Sequence, residues 1–176
     1  MNAVAARRPY LILSVAIVAF DQITKWMVRQ SLELHDSREV VSGLLSLTHV
    51  RNRGAAFGFL SNADLPYQSL LFSVLSLAAL GAIAIYAFKL PVAHKAPQIA
   101  LAMIMGGAVG NLIDRMAHGY VVDFVDVYWR AHHWPAFNVA DSCISIGVGI
   151  LILDLLRTPA EGSDDAVASG VASRGE

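Results

Sequence analysis

Two long stretches without a formal charge constrain the fold of this chain more than any other feature. Residues 65–88 form an uncharged run of 24 residues, and residues 96–113 form another of 18. A helix needs about 20 mostly apolar residues to cross the hydrocarbon core of a bilayer. Each run is therefore long enough for one crossing, and the sequence predicts an all-α membrane protein.

Two further apolar stretches are long enough to cross the membrane although they contain charged residues. The first carries Asp21 and Lys25, and the last carries Asp141 and Asp154. Ionisable residues within a span are costly and normally face the interior of a helix bundle or a water-filled cavity. The sequence therefore predicts four transmembrane helices, at residues 9–28, 67–88, 97–116 and 138–156.

The composition favours one membrane domain. The chain of 176 residues is 56% hydrophobic and 15% charged, whereas soluble domains have about 25% charged residues. We expect residues 1–157 to form a single four-span domain and residues 158–176 to form a disordered tail. The net charge of −1 gives no indication of nucleic-acid binding. Cys143 is the only cysteine, so no intrachain disulfide is expected.

The two longer segments between the spans lie on one side of the membrane. Residues 39–41 and 44–50 are β-prone and are separated by Gly43, which predicts a small extracytoplasmic sheet with a turn at the glycine. The sheet is either a binding surface or a plain connection. For residues 117–137 we predict a short helical or loop segment.

The distribution of basic residues orients the bundle. Arg7 and Arg8 precede the first span, and Lys89 and Lys95 lie in the short loop between the second and third spans. Cytoplasmic loops carry an excess of such residues, so both termini are predicted to be cytoplasmic. Connectivity then brings the polar ends of the spans to the outer face, where we predict a pocket formed by Asp21, Lys25, Asn52, Asn111, Asp114, Arg115, Asp123, Asn138 and Asp141.

Asp123 and Asp141 are the acids best placed for catalysis. Asp123 follows the third span, Asp141 lies in the first turn of the fourth, and the connection between them is short. Two carboxyl groups held close together cannot both ionise cheaply, so one keeps its proton at neutral pH. The other can then activate water. A purely structural role stays open for Asp21 with Lys25 and for Asp114 with Arg115. The possible partners of Arg115 are a lipid phosphate and a backbone carbonyl.

The polar residues also form five motifs in a fixed order. They are Asp21-Gln22-x-Thr24-Lys25, Asn52-x-Gly54-Ala55-Ala56-Phe57, Gly106-Gly107-Ala108-x-Gly110-Asn111-x-x-Asp114-Arg115, Val122-Asp123-Phe124 and Phe137-Asn138-x-Ala140-Asp141. In this order and at this spacing, residues 9–157 resemble the lipoprotein signal peptidase (signal peptidase II) family of bacteria.

The resemblance implies an aspartic peptidase of the bacterial inner membrane with four transmembrane helices and a small outer sheet. Its substrate would be a prolipoprotein cut just before a cysteine that carries a diacylglyceryl group, and its inhibitors would include globomycin. No cofactor is implied, and we expect a monomer. The implied catalytic pair is Asp123 and Asp141. The residues implied to support the pair or the substrate are Asn52, Gly54, Asn111, Asp114, Arg115, Asn138 and Ala140, to which the first motif adds Asp21 and Lys25.

Two other functions compete with this interpretation. His118, His132 and His133 flank the acids, so a metal-dependent membrane hydrolase is one alternative, although no His-Glu-x-x-His motif is present. A small proton-coupled transporter is the other, because intramembrane acids also mark proton pathways. A proton pathway needs acids across the whole membrane, and here only Asp154 lies near the inner face.

Overall fold

The computed structural model describes residues 3–54 and 67–157. These residues contain four helices that are long and apolar enough to cross a membrane, which confirms the four predicted spans. The helices are α1 (Ala3–Ser31), α2 (Gln68–Lys89), α3 (Lys95–His118) and α4 (Val139–Arg157). The tail predicted at residues 158–176 lies outside the described residues, as do Ala55, Ala56 and Phe57 of the second motif.

Helix α3 occupies the centre of the bundle and packs against each of the other three helices. Eleven of its residues are buried, whereas α2 buries only Gln68. The apolar side chains of α2 instead point outward, as expected for a helix that faces lipid. Because α3 is surrounded, the polar residues on it are forced to find partners inside the protein.

Small residues let the helix backbones approach closely. A Cβ atom at Gly106 would lie 2.9 Å from the carbonyl oxygen of Ser14 on α1. A Cβ atom at Gly107 would overlap the carbonyl oxygen of Ala140 on α4. The glycine stripe on α3 therefore sets the spacing to α1 on one side and to α4 on the other.

The segments that join α1 to α2 and α3 to α4 form a four-stranded antiparallel sheet in the order β1-β2-β3-β4. Its strands are β1 (Ser37–Val41), β2 (Leu45–Asn52), β3 (Val121–Trp129) and β4 (His132–His133). The predicted hairpin between β1 and β2 is confirmed, and Gly43 has the positive φ of 73° that its turn requires. Residues 121–129 are a strand, whereas the sequence predicted a helical or loop segment between residues 117 and 137.

The strand β3 is stabilised by its pairing with β2 rather than by its local sequence. Asp is depleted in strands, so the two aspartates in Val-Val-Asp-Phe-Val-Asp-Val weaken the local β signal. Pairing with β2, which is distant in sequence, supplies the hydrogen bonds that stabilise this segment, and Val50 lies opposite Asp123. Buried Val122 and Phe124 pack on Val28 near the C-terminal end of α1 and fix the sheet to that end of the bundle.

Candidate active site

The structure brings Asp123 and Asp141 to one buried site through the side chain and backbone of Asn138. Asp123 lies on β3 and is 2% exposed, and Asp141 lies in the first turn of α4 and is 9% exposed. Asn138 Nδ2 donates to Asp123 Oδ1 at 2.7 Å. The backbone N–H of Asn138 donates to Asp141 Oδ2 at 3.3 Å. One residue therefore connects the two carboxyl groups.

The two remaining carboxylate oxygens accept hydrogen bonds from two other asparagines. Asn52 Nδ2, at the end of β2, donates to Asp123 Oδ2 at 2.9 Å. Asn111 Nδ2, on α3, donates to Asp141 Oδ1 at 2.8 Å. Each oxygen of the pair thus has an N–H donor, so both carboxyl groups are held in fixed orientations. The three asparagines come from three different parts of the chain.

The surroundings of Asp123 favour its protonated form. Burial, and next the charge of Asp141, raise the pKa of Asp123 from 3.8 to about 7. Hydrogen bonds from Asn52 and Asn138 and the charge of Lys25 act in the opposite direction but are outweighed. A carboxyl group with such a pKa can hold or release a proton near neutral pH, which a general acid–base catalyst requires.

A fully buried ion cluster lies behind the pair. Lys25 Nζ is 2.8 Å from Asp21 Oδ2 on the same helix and 3.1 Å from Asp114 Oδ2 on α3, and none of the three side chains is exposed. The predicted contact between Asp21 and Lys25 is present. Asp114 pairs with Lys25 and also accepts from the backbone N–H of Val122 at 3.2 Å, so its partners come from distant parts of the chain.

Arg115 contacts backbone rather than acting only as a surface charge. Its Nη2 donates to the carbonyl oxygen of Gly54 at 2.9 Å, and its Nη1 lies 3.4 Å from the carbonyl oxygen of Asn111. The N–H of Gly54 in turn donates to Asn52 Oδ1 at 2.8 Å. Arg115 therefore attaches the end of the outer sheet to α3 and supports Asn52, which matches the backbone-carbonyl partner considered from the sequence.

Ala140 and Gln22 complete the polar network. Ala140 is fully buried, and its N–H donates to Asp21 Oδ1 at 2.9 Å. Gln22 Nε2 lies 3.2 Å from Asp21 Oδ2 and 3.3 Å from Asp114 Oδ1. Gln22 belongs to the first motif but was not among the predicted site residues. Its position beside Asp21 was the available signal.

The histidines considered as metal ligands do not gather with the acids. Within residues 3–54 and 67–157, no group of three or more His, Cys, Asp or Glu side chains has the arrangement of a metal site. His133 Nδ1 instead lies 2.9 Å from Asp126 Oδ2, and its ring stacks on Tyr128.

Asp141 also lines a groove of about 230 Å³ beside the first turns of α4. Trp134 and Phe137 form one wall, and Ser142, Ser145 and Ile146 of α4 form the other. Of the two carboxyl groups, that of Asp141 therefore lies at the wall of a groove lined by aromatic and small polar side chains.

Comparison with known proteins identifies the family. A family model described as signal peptidase (SPase) II matches residues 13–157. The chain is 49% identical to a lipoprotein signal peptidase of Geobacter metallireducens, over 90% of this chain and 96% of the relative. It is 44% identical to a lipoprotein signal peptidase of Syntrophus aciditrophicus, over 88% of this chain and 96% of the relative.

The fold is also shared with a solved structure. A bacterial membrane enzyme determined by the in meso method at 2.3 Å resolution superposes with a TM-score of 0.76 at 33% identity. The match covers 89% of this chain and 92% of that structure. The family match, the close relatives and the shared fold agree with one another. This chain therefore belongs to the signal peptidase II family.

Proposed function

We propose that this protein removes the signal peptide from diacylglyceryl-modified prolipoproteins by hydrolysing the peptide bond just before the lipidated cysteine. Curated relatives carry the name lipoprotein signal peptidase, and the family is one of aspartic peptidases. The observation that carries the mechanism is the pair of buried carboxyl groups connected by Asn138. Neither a metal-dependent hydrolase nor a transporter is favoured by membership of this family.

The proposed catalytic pair is Asp123 and Asp141. One carboxylate takes a proton from a water molecule, which attacks the scissile carbonyl carbon, while the protonated partner donates to the carbonyl oxygen. When the tetrahedral intermediate collapses, the first carboxyl group gives the proton that it took from water to the leaving nitrogen. The partner recovers its proton from the hydroxyl group on the former carbonyl oxygen, so the new carboxyl group and the amine are released and the pair returns to its starting protonation. The N–H donors on all four carboxylate oxygens keep the two groups oriented, so the pair needs little reorganisation during the reaction.

The protein is a multi-pass protein of the bacterial inner membrane. We propose that both termini are cytoplasmic and that the catalytic pair lies near the outer leaflet, since Arg7, Arg8, Lys89 and Lys95 all lie at the opposite ends of their spans. A substrate with a lipidated cysteine diffuses laterally in that leaflet. The scissile bond would then arrive at the depth of the pair, while the acyl chains stay in hydrocarbon.

Four further features belong to the same proposal. A membrane lipid group on the substrate is a required part of the ligand, and globomycin-type cyclic peptides compete for the site. One bundle encloses the pair through contacts of its own α1, α3, α4 and sheet, so a monomer is the proposed functional unit. We propose residues 1–157 as the peptidase domain.

The purified protein is expected to cut a diacylglyceryl-modified prolipoprotein just before the modified cysteine, with EDTA present. The same precursor without the lipid is the matched control and is expected to be cut at least about 100-fold more slowly, because remote binding energy positions the scissile bond. Mass spectrometry of both products measures the cleavage site. Loss of activity in EDTA, or equal cleavage of both precursors, would contradict the proposal.

The cleavage rate is expected to fall as the pH rises past about 7. Burial and the charge of Asp141 raise the pKa of Asp123 to about 7, so above that pH the pair loses the proton that one member must donate. The rate should then decrease about tenfold per pH unit. The test is kcat measured from pH 6 to pH 9.5 in one detergent. A constant rate over this range would show that the pair needs no shared proton.

A further inference from the structure

Lys25 is bonded to three partners although it touches neither Asp123 nor Asp141 directly. Its ammonium group has three N–H donors and no acceptor. They reach Asp21 Oδ2 at 2.8 Å, Asp114 Oδ2 at 3.1 Å and Asn111 Oδ1 at 2.9 Å. Because the side chain is fully buried, water cannot replace any of these partners. The ammonium group therefore requires a hydrogen-bond acceptor at each of these three positions.

Two donors fix the orientation of the Asn111 amide, because Lys25 Nζ at 2.9 Å and Asn138 Nδ2 at 3.3 Å both reach its Oδ1 atom. Lys25 can only donate, so the amide oxygen must face Lys25 and the NH₂ group must face Asp141 Oδ1, at 2.8 Å. A flipped amide would place NH₂ against the ammonium group and oxygen against a carboxylate oxygen. Both contacts would be repulsive, and each would leave a buried polar group unsatisfied. Lys25 thus acts on Asp141 through one intervening side chain.

The two acids that pair with Lys25 hold the backbone next to the catalytic pair. Asp21 Oδ1 accepts from the N–H of Ala140, the residue before Asp141. Asp114 Oδ2 accepts from the N–H of Val122, the residue before Asp123. Each catalytic aspartate is therefore preceded by a backbone N–H that is fixed to an acid of the buried cluster.

We infer that Lys25 is a positioning residue for hydrolysis. It holds the amide of Asn111 in one orientation, and it pairs with Asp21 and Asp114, which hold the backbone next to Asp141 and Asp123. These contacts keep the carboxyl groups of β3 and α4 at a fixed distance from each other. This inference rests on the proposed function. A shift of about 1 Å between reacting groups can cost about 100-fold in rate. Because Lys25 is buried behind the pair, we expect the loss of activity to appear as a lower kcat rather than as a higher KM.

The test compares Lys25→Met with Lys89→Met in the full-length protein. Methionine keeps the length and apolar stem of Lys25 but has no N–H donor. Lys89 is an exposed lysine at the other end of the bundle and provides the matched control. Lys25→Met is expected to lower kcat about 100-fold with KM changed less than threefold, whereas Lys89→Met should match the wild type.

The pH profile separates positioning from simple loss of folded protein. Lys25 is one of the positive charges that lower the pKa of Asp123. Its removal should move the falling limb of the kcat profile to higher pH, whereas a smaller folded fraction would lower kcat at every pH equally. The charged groups of the described residues that face Lys25 or the pair are Asp21 of α1 and Asp114 and Arg115 of α3, and Arg29 of α1 lies 3.9 Å from Asp114 Oδ1.

A second measurement, on the wild-type protein, tests the inference if the Lys25→Met variant does not fold. In the wild-type protein, NMR of the Asn111 side-chain NH₂ group should show slow exchange with water and a shift change in Asp141→Asn. Rapid exchange would overturn the inference, as would a folded Lys25→Met variant with wild-type kcat and pH profile. If the wild type itself does not cut the lipidated precursor, the proposed function fails instead.

Discussion

Replacing either Asp123 or Asp141 with asparagine is expected to lower kcat for cleavage of a lipidated precursor by about 100- to 10,000-fold. Asparagine keeps the shape of the side chain but cannot exchange a proton, and general acid–base catalysis contributes about 10²- to 10⁴-fold. Asp126→Asn is the matched control. It lies on the same strand as Asp123 but contacts the exposed His133, so its activity should equal that of the wild type.

These variants are expected to stay folded, which makes the activity loss interpretable. The pKa of Asp123 is raised from 3.8 to about 7, so the native state binds this proton more tightly than the unfolded chain. The stability that the protonated carboxyl contributes is complete below pH 4 and is lost as the pH rises to about 7. Asp123→Asn has no proton to lose, and its melting temperature should change less with pH than that of the wild type.

Two outcomes would contradict the assignment of the pair. A folded Asp123→Asn or Asp141→Asn variant that cuts at the wild-type rate would remove that residue from the catalytic machinery. Equal loss of activity in Asp126→Asn would show that any change of charge on β3 disturbs the site. Both comparisons need the melting temperature of each variant in the same detergent.

Substituting Gly107 with alanine is expected to destabilise the protein by about 1–3 kcal/mol and to reduce cleavage strongly. The new Cβ atom would overlap the backbone carbonyl of Ala140 and lie 2.8 Å from Ile144 Cγ1. Backbone cannot rotate away as a flexible side chain can, so α4 must move. Asp141 lies in the first turn of that helix and would move with it, away from Asn111.

Gly149→Ala is the matched control for this substitution. Gly149 lies on α4 two turns beyond Asp141, and a Cβ atom there would meet nothing within 4 Å. Alanine favours a helix by up to about 1 kcal/mol relative to glycine, so this variant should be as stable as the wild type or more so. Thermal unfolding and kcat in detergent measure both effects. A wild-type melting temperature for Gly107→Ala would show that α3 and α4 tolerate a wider spacing.

The sequence alone was sufficient for the number of spans and for the expectation that their polar ends lie together. Apolar runs of about 20 residues have no other stable arrangement than crossing the membrane. Connectivity then requires the polar ends of the spans to meet on one side. The contact between Asp21 and Lys25 followed from their spacing of four residues on one helix. The turn at Gly43 followed from local chemistry as well.

The tertiary structure decided which polar groups became partners. The strand character of residues 121–129 depends on pairing with β2, to which no local pattern points. Asp114 lies beside Arg115 in sequence, yet it bonds Lys25 on another helix and the N–H of Val122. Asn138 contacts both catalytic candidates because β3 and α4 converge at this point. Local spacing fixes only which residues share a helix face or a turn, whereas buried polar groups must be satisfied by whatever the packing of distant segments brings within hydrogen-bonding distance.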